Sequence, residues 1–362
     1  VEGVLMLLPF ACSLIYREDS WHALLIPTLL LLIAGTLLTL RRPVQHDRMG
    51  VRDGLFVVGV SWVVLSLFGM LPFIISGAIP HPVDAFFETV SGFTTTGATV
   101  LGDAVGTLPG DLDRGIALWR ALTHWIGGMG VLVFVLAVMP QQQFKSARLM
   151  HAMRAEVPGP TASKVVATIR RSAAIMYAIY VVLTAIEVIF LLCGDMPLYE
   201  ALLHSFSTAG TGGFSNMNAS IGAFDSSYIH WVITAFMLIF SINFNLYYLL
   251  LIGKIKDVLR SEELKTYFLI VITAIAFVFI SLITRIEQFP QVYSLEEAFR
   301  HSFFQVASLL TTAGFTTTDY NTWSTLAVTT LVLVMFIGGM AGSTGGGIKV
   351  YRVVVICKNE NT

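Results

Sequence analysis

Long apolar segments alternate with short polar ones along most of the chain. Each long segment has about 20 residues, the length that a helix needs to cross the hydrocarbon core of a membrane. The predicted spans are Trp21–Leu40, Leu55–Ile75, Ile116–Met139, Ala173–Cys193, Ile229–Ile252, Thr266–Ile283 and a run from Thr325 onward. The earlier apolar run Val4–Tyr16 is too short by this count, and we interpret it as the remainder of a trimmed helix.

A segment between two of these spans, Phe86–Thr99, recurs twice more. When Gly97 is aligned with Gly213 and Gly314, each copy has a short apolar run, then small and hydroxylated residues, then one glycine. The glycines are 116 and 101 residues apart, a period too long for a solenoid. The sequence therefore predicts three successive units, each a helix, a loop and a second helix.

Loops rich in threonine and glycine are unusual inside a membrane. Hydrocarbon has no hydrogen-bond partners, so irregular backbone occurs there only where it lines a watery path or is buried in protein. Carbonyl oxygens in such loops can replace the hydration shell of a cation, and glycine permits the positive φ this requires. The predicted ion-binding residues are Thr94, Thr95, Thr96, Gly97, Thr211, Gly212, Gly213, Thr311, Thr312, Ala313 and Gly314. The alternative is three similar surface loops without this function.

A second unusual segment, Gly338–Lys349, interrupts the last apolar run. Six of its first ten residues are glycine, and each costs a helix about 1 kcal/mol relative to alanine. A phosphate-binding loop is excluded, because that motif needs lysine directly after glycine and Ile348 separates Gly347 from Lys349. An irregular intramembrane loop and a kinked or tightly packed helix remain as interpretations.

Four stretches together resemble the pore subunit of the Trk/Ktr family of potassium uptake systems. They are FFETVSGFTTTGATV (86–100), STAGTGGFSNMNASIGAFDS (207–226), FFQVASLLTTAGFTTTD (303–319) and GGMAGSTGGGIKV (338–350). The resemblance implies an all-α polytopic membrane protein whose helix–pore-loop–helix units surround a central ion pore pseudo-symmetrically. It implies potassium uptake across the cytoplasmic membrane, with K⁺ as the transported ion, no cofactor and no enzymatic activity. It also implies a gate beneath the filter, formed by Gly342, Ser343, Thr344, Gly345, Gly346 and Gly347.

Two alternatives to potassium uptake stay open. One is a member of the same superfamily that conducts sodium or ammonium. In the plant branch, a serine at the first filter glycine accompanies sodium preference, so Gly97, Gly213 and Gly314 favour potassium. The other is a non-conducting, truncated membrane scaffold.

The repeats divide the chain into an N-terminal helix pair (1–53), a first pore repeat (54–140), a cytoplasmic linker (141–171), a second repeat (172–253) and a third (254–362). The family has four such repeats, and three are present here. Given the observed spacings, we expect a fourth filter glycine about 101–116 residues beyond Gly314. This chain is therefore expected to be part of a longer protein.

The basic residues predict the orientation. Of 22 Lys and Arg residues, 17 lie in 41–53, 140–171, 253–265 and 349–362. By the positive-inside rule these segments face the cytoplasm, so the pore loops open to the outside of the inner membrane. The resemblance implies a homodimer in the lipid bilayer on a ring of cytosolic nucleotide-binding regulatory subunits, with 141–171 and 253–265 as the contact surfaces. Nucleic acid is not an expected partner.

Composition agrees with a membrane protein: 55% of the residues are hydrophobic and 12% are charged, about half the charged share of a soluble domain. The three cysteines have no paired spacing and indicate neither disulfides nor a metal site.

A few polar residues within the spans are less informative. Glu187 lies within a span, where a charge is often functional, but a structural pair with a residue such as Arg120 or Arg300 is favoured. His124 is interpreted as a hydrogen-bonded core residue rather than a metal ligand. Asn243 and Asn245 either line the cavity below the filter or bond across helices. Gly127, Gly128 and Gly130 are expected to let helices approach closely, and Ser294–Glu297 reads as a capping box that opens the third pore helix.

Overall fold

The computed structural model describes residues 1–40, 51–102, 105–128, 130, 169–284 and 294–359. Within these ranges the chain is helical, and the only β-type pairing is one isolated bridge between Gly102 and Thr107. The helices are α1 (Glu2–Leu5), α2 (Leu7–Ile15), α3 (Trp21–Leu40), α4 (Val51–Gly69), α5 (Leu71–Ile75), α6 (Pro82–Phe93), α7 (Arg114–Gly128), α8 (Ile169–Cys193), α9 (Leu198–Ala209), α10 (Ser227–Phe240), α11 (Phe244–Leu251), α12 (Ile255–Arg260), α13 (Glu262–Ile283), α14 (Leu295–Leu310), α15 (Thr325–Ile337) and α16 (Val350–Asn359).

Three described helices are long and apolar enough to cross a membrane: α3, α8 and α13. The pair α10 and α11 makes a fourth span if its two parts are counted together. The predicted all-α polytopic membrane architecture is thus confirmed.

The described residues form two compact units, one before and one after the gap at 131–168. In the first unit, α6 packs against α4 and α7. Trp119 is fully buried and donates its indole N–H to the carbonyl of Gly69 at 2.9 Å. A Cβ on Gly69 would lie 2.7 Å from the Thr89 side chain and 2.8 Å from the Phe93 ring, so a larger residue here would force these side chains of α6 to shift. The predicted span Leu55–Ile75 is divided here, because α4 ends at Gly69 and α5 begins at Leu71.

In the second unit, α8 packs against α9 and α10, while α13 packs against α14 and α15. The ring of Tyr180 on α8 contacts Phe240 and Phe244, with ring centroids 5.7 and 6.1 Å apart. These two phenylalanines flank a bend of 90° between α10 and α11. The prediction of a single helix over Ile229–Ile252 is therefore wrong.

The cause of the bend is the polar sequence at 241–243. Asn243 accepts a hydrogen bond from the backbone N–H of Asn245 at 2.9 Å and so caps a new helix, α11. This contact is local and gives Asn243 a capping role that the sequence analysis did not predict.

Several predicted segments lie outside the described residues. They are most of the basic loop at 41–53, the end of the Ile116–Met139 span and nearly all of the 141–171 linker. The third basic loop, 253–265, is described and contains α12, after which Ser261 caps α13 by accepting from the N–H of Leu264 at 3.3 Å.

Candidate functional site

A short, partly buried helix precedes each of the three repeated loops: α6, α9 and α14. Asp84, Glu200 and Glu296 lie in their first turns, where acids stabilise a helix N-terminus. The predicted cap of α14 is confirmed, because Ser294 accepts from the N–H of Glu297 at 3.1 Å. α6 and α14 end at the residue before the predicted ion-binding segment, and α9 ends two residues before Thr211, so the partly negative C-terminus of each helix adjoins that segment.

The three loops leave their helices with the same backbone hydrogen bonds. In each copy the third loop residue bonds back to a serine carbonyl at the end of the helix. These bonds join Thr96 N to Ser91 O (2.9 Å), Gly212 N to Ser207 O (3.0 Å) and Ala313 N to Ser308 O (2.8 Å). The gapless alignment of the sequence is thus matched by one local fold in all three copies.

The φ angles repeat as well. Gly97, Gly213 and Gly314 have φ of 73°, 77° and 80°. The residue two positions earlier is a threonine in the same left-handed region in every copy. These threonines are Thr95 (54°), Thr211 (53°) and Thr312 (61°). The residues between them do not have positive φ, so the sign of φ alternates in the same way in all three loops. Alternation of this kind allows successive carbonyls to face one side, as a cation filter requires.

The left-handed threonines are costly. An L-residue in this region is less stable by about 1–2 kcal/mol, so the surrounding structure must hold each loop in place. Much of that support comes from one aligned position in the preceding helix, occupied by Glu88, His204 or Gln305. All three side chains are buried.

In the first copy, Glu88 holds the far end of the loop. Its carboxylate accepts from the Thr99 hydroxyl and from the Val100 N–H, each at 2.9 Å. It also forms a buried ion pair with Arg120 on α7, with Nε and Oε1 2.6 Å apart. Sequence reasoning missed this pair, although an acid and an arginine in otherwise apolar segments are a signal for one.

The other two copies use neutral groups at the same position. His204 Nε2 lies 3.0 Å from the Ser215 hydroxyl, at the same separation along the chain as Glu88 and Thr99. Gln305 donates to the Thr317 hydroxyl at 3.4 Å, and Nδ1 of His301 lies 2.8 Å from the same hydroxyl. One position thus ties each loop to its own helix.

The glycine-rich segment Gly338–Lys349 is irregular over its whole length, between α15 and α16. The alternative of a kinked helix is therefore wrong. Its two ends run side by side, since a Cβ on Gly347 would lie 2.8 Å from the backbone nitrogen of Gly338. The loop needs glycine here because two backbones touch.

This loop binds the broken helix α10–α11. Its Met340 N–H donates to the carbonyl of Ser241, and its Gly342 carbonyl accepts from the N–H of Phe244, both at 3.0 Å. The Thr344 hydroxyl donates to the carbonyl of Phe240 at 3.1 Å. Backbone groups released by the bend are therefore satisfied by the loop, as a membrane interior demands.

The loop also contacts the repeated loops of the second and third copies. The Thr211 hydroxyl donates to the carbonyl of Thr344 at 2.9 Å. The backbone N–H of Gly346 donates to the Thr312 hydroxyl at 2.6 Å. A Cβ on Gly345 would lie 3.1 Å from the carbonyl oxygen of Thr311. The structure thus brings the predicted gate residues together with predicted ion-binding residues.

Two charged side chains, one of them at the end of the loop itself, also hold the loop in place. Glu263, in the first turn of α13, accepts from the N–H of Ala341 at 2.6 Å. Lys349 is buried and donates its ammonium group to the carbonyl of Gly345. Neither contact was anticipated from the sequence.

The remaining polar residues have mixed outcomes. Glu187 is fully buried beside Thr208, and no ion pair of its carboxylate occurs in the described ranges. Arg120 binds Glu88 and Arg300 binds Glu296, so the predicted pairing of Glu187 is wrong.

His124 and Gly127 both lie on α7. His124 is fully buried, and the described part of the chain contains no His, Cys, Asp and Glu cluster suited to a metal ion. Gly127 packs directly against the carbonyl of Phe93, which confirms the expected close helix approach at this glycine.

Comparisons with known proteins agree with this architecture. A family model described as TrkH, cation transport protein, matches residues 22–361. The Trk system potassium uptake protein TrkH of Salmonella typhimurium is 37% identical over 360 residues, covering 98% of this chain and 72% of the relative. The TrkH protein of Escherichia coli is 36% identical with the same coverage.

A solved structure is similar over nearly the whole chain. The crystal structure of the potassium transporter TrkH from Vibrio parahaemolyticus has a TM-score of 0.81 and 32% sequence identity. The match covers 98% of this chain and 71% of that one.

Proposed function

Since this chain belongs to the TrkH family of cation transport proteins, we propose that it takes up potassium ions across the cytoplasmic membrane. Relatives that match 98% of the chain carry the name Trk system potassium uptake protein. The protein is an integral membrane protein, and transport through a pore requires no catalytic group or cofactor. The ion is the transported substrate.

The selectivity filter in this proposal consists of the backbone carbonyls of the three repeated loops. The observation that carries it is the alternating φ pattern ending at Gly97, Gly213 and Gly314. The buried side chains of Glu88, His204 and Gln305 hold these loops in place. Carbonyls that face one side of such loops can replace the hydration shell of a dehydrated cation. The pore repeats would be residues 54–140, 172–253 and 254–362.

The gate in this proposal is the glycine-rich loop, residues 342–347. Its hydrogen bonds to Thr211 and Thr312 support a location next to the filter. The loop has few side chains, and its fold depends on backbone contacts with the break at 241–243. Such a segment can change position without unpacking a hydrophobic core.

The exposed basic surface supports the proposed orientation, and the proposed partners are those that the family resemblance implies. Lys254, Lys256 and Arg260 on and beside α12 are exposed, and we place them in the cytoplasm by the positive-inside rule. A homodimer resting on cytosolic nucleotide-binding subunits would contact this surface. The filter would then open to the outside of the inner membrane.

Uptake of rubidium-86 into proteoliposomes tests the proposal. With no ion gradient other than that of potassium, the membrane potential drives uptake at about 2.3 kcal/mol per charge per 100 mV. We expect accumulation at a negative internal potential, competition by unlabelled potassium, and no net accumulation after the potential is collapsed. If sodium or ammonium competes more strongly than potassium, the transported ion is not potassium. Accumulation at zero potential would refute the proposal that the membrane potential drives uptake.

A further inference from the structure

We propose that the hydroxyl groups of Thr211 and Thr312 are latches that hold the glycine-rich loop closed and couple its position to the filter. The inference rests on the proposed function, in which these residues belong to the filter and the loop is the gate. It assigns to two filter side chains a role separate from that of their carbonyls. It therefore predicts that gating changes when the hydroxyls are removed and the backbone is kept.

The two contacts are short, and they run in opposite directions. Thr211 is fully buried, and its hydroxyl donates to the Thr344 carbonyl at 2.9 Å. Thr312 accepts from the Gly346 N–H at 2.6 Å. The loop is therefore held through one of its carbonyls and one of its N–H groups, two residues apart. The two latches lie on different pore repeats, so both must release before the loop can leave.

These latches differ in kind from the other anchors of the loop. Met340 and Gly342 bond backbone to backbone with the helix break, and Glu263 binds Ala341. None of these partners is a filter residue. Among the described hydrogen bonds, those of Thr211 and Thr312 are the ones in which a filter side chain binds the loop.

The Thr211 hydroxyl already has a second acceptor. It lies 2.7 Å from the carbonyl of Gly210 in its own loop, and its single proton is shared between that carbonyl and Thr344. When the loop leaves, the hydroxyl keeps a partner, which makes release less costly than stranding a buried donor. The contact is therefore suited to repeated opening and closing.

The Thr312 hydroxyl links the loop to the ion. While the loop is closed, the Gly346 N–H engages one of the two lone pairs of this oxygen. A cation on the other lone pair would be repelled by the partly positive N–H, so a cation there and the closed loop weaken each other's binding. By reciprocity, ion binding at that position weakens loop closure as much as closure weakens ion binding.

Thr→Val substitutions isolate the hydroxyls. Valine keeps the β-branch, so the left-handed backbone at both positions bears a similar strain, while the donor or acceptor is lost. Thr211→Val and Thr312→Val should each raise basal rubidium-86 uptake into proteoliposomes about five-fold, the factor that corresponds to one hydrogen bond of about 1 kcal/mol. Thr211→Ser and Thr312→Ser keep a hydroxyl, so each should raise uptake less than its valine counterpart.

Amide hydrogen exchange of the loop gives a readout that does not depend on transport. Thr312→Val removes the acceptor of the Gly346 N–H, so exchange in the peptide covering 338–349 should speed up, and Thr312→Ser should not change it. Thr273→Val is the matched control, because that hydroxyl is exposed on α13 and bonds only within its own helix.

The outcomes separate the latch from the proposed function. Faster loop exchange together with higher uptake in the valine variants supports the latch. The latch is overturned if correctly inserted valine variants match the serine variants in both uptake and loop exchange. It is also overturned if loop exchange becomes faster while uptake stays unchanged. If the wild type itself carries no rubidium, the proposed function fails, while the exchange measurement still decides whether the hydroxyls hold the loop.

Discussion

Two glycines of the proposed filter have nearly the same φ but should respond very differently to alanine. Gly213 and Gly314 have φ of 77° and 80°, so alanine at either site pays about 1–2 kcal/mol for the left-handed backbone. Their surroundings differ. A Cβ on Gly213 would overlap the carbonyl oxygen of Ala313 and lie 3.0 Å from its carbon. A Cβ on Gly314 would meet no described heavy atom within 4 Å.

The extra cost at Gly213 comes from backbone and cannot be relieved by turning a side chain. Overpacking of this kind costs about 1–3 kcal/mol. In addition, the atom that must move is the carbonyl oxygen of Ala313, which belongs to the proposed filter. We therefore expect Gly213→Ala to displace the third loop and to weaken discrimination against sodium. Potassium uptake should fall about ten-fold or more, and ten-fold corresponds to about 1.4 kcal/mol. Gly314→Ala should keep most of the uptake, and its free energy of unfolding should fall only by the cost of placing alanine in the left-handed region.

Both variants would be reconstituted at equal protein density, with insertion checked by size-exclusion chromatography. Rubidium-86 uptake in competition with potassium and with sodium measures selectivity, and the thermal transition measures stability. Equal losses in the two variants would show that φ alone matters and that the contact of Gly213 with Ala313 is irrelevant. An active, selective Gly213→Ala variant would refute the filter geometry described above.

Three further predictions concern other parts of the structure. Gly97→Ser restricts a positive φ and adds a hydroxyl, so potassium-over-sodium preference should fall in a two-cation flux assay, and an unchanged ratio would contradict the assignment of Gly97 to the filter. Deletion of 342–346 should raise basal uptake, whereas a correctly inserted deletion that conducts less would mean that the loop is structural. Arg120→Met leaves the buried carboxylate of Glu88 without its counter-ion, so it should lower the free energy of unfolding by about 3–5 kcal/mol and the thermal transition temperature by a large amount. Combining it with Glu88→Gln should restore part of that temperature. An unshifted transition in the single variant would show that the ion pair is dispensable.

Hydropathy and repeats predicted much of this fold. The span Trp21–Leu40 coincides with α3, and the three glycine-centred segments share one backbone conformation, because local sequence determines both. The bend at 241–243 was missed, since hydropathy is high on both sides of it. The signal was present: Asn243 is a good N-cap residue within an apolar run.

The site was predictable only in part. The glycine density of 338–349 marks the segment as irregular, but the sequence does not say which groups it binds. Its partners Thr211, Thr312 and Glu263 lie far away along the chain, and only tertiary packing brings them to the loop. The same holds for Glu88 and Arg120, which belong to different helices.

The aligned position occupied by Glu88, His204 and Gln305 shows what three copies within one chain allow. In a pore assembled from identical subunits, any side chain at such a position is repeated around the axis, so an acid there would bring several like charges close together. Here the copies differ in sequence, and the single carboxylate has its own arginine, while the other copies use an imidazole and an amide. A substitution can therefore alter one side of the proposed filter at a time, which is not possible in a symmetric homo-oligomer.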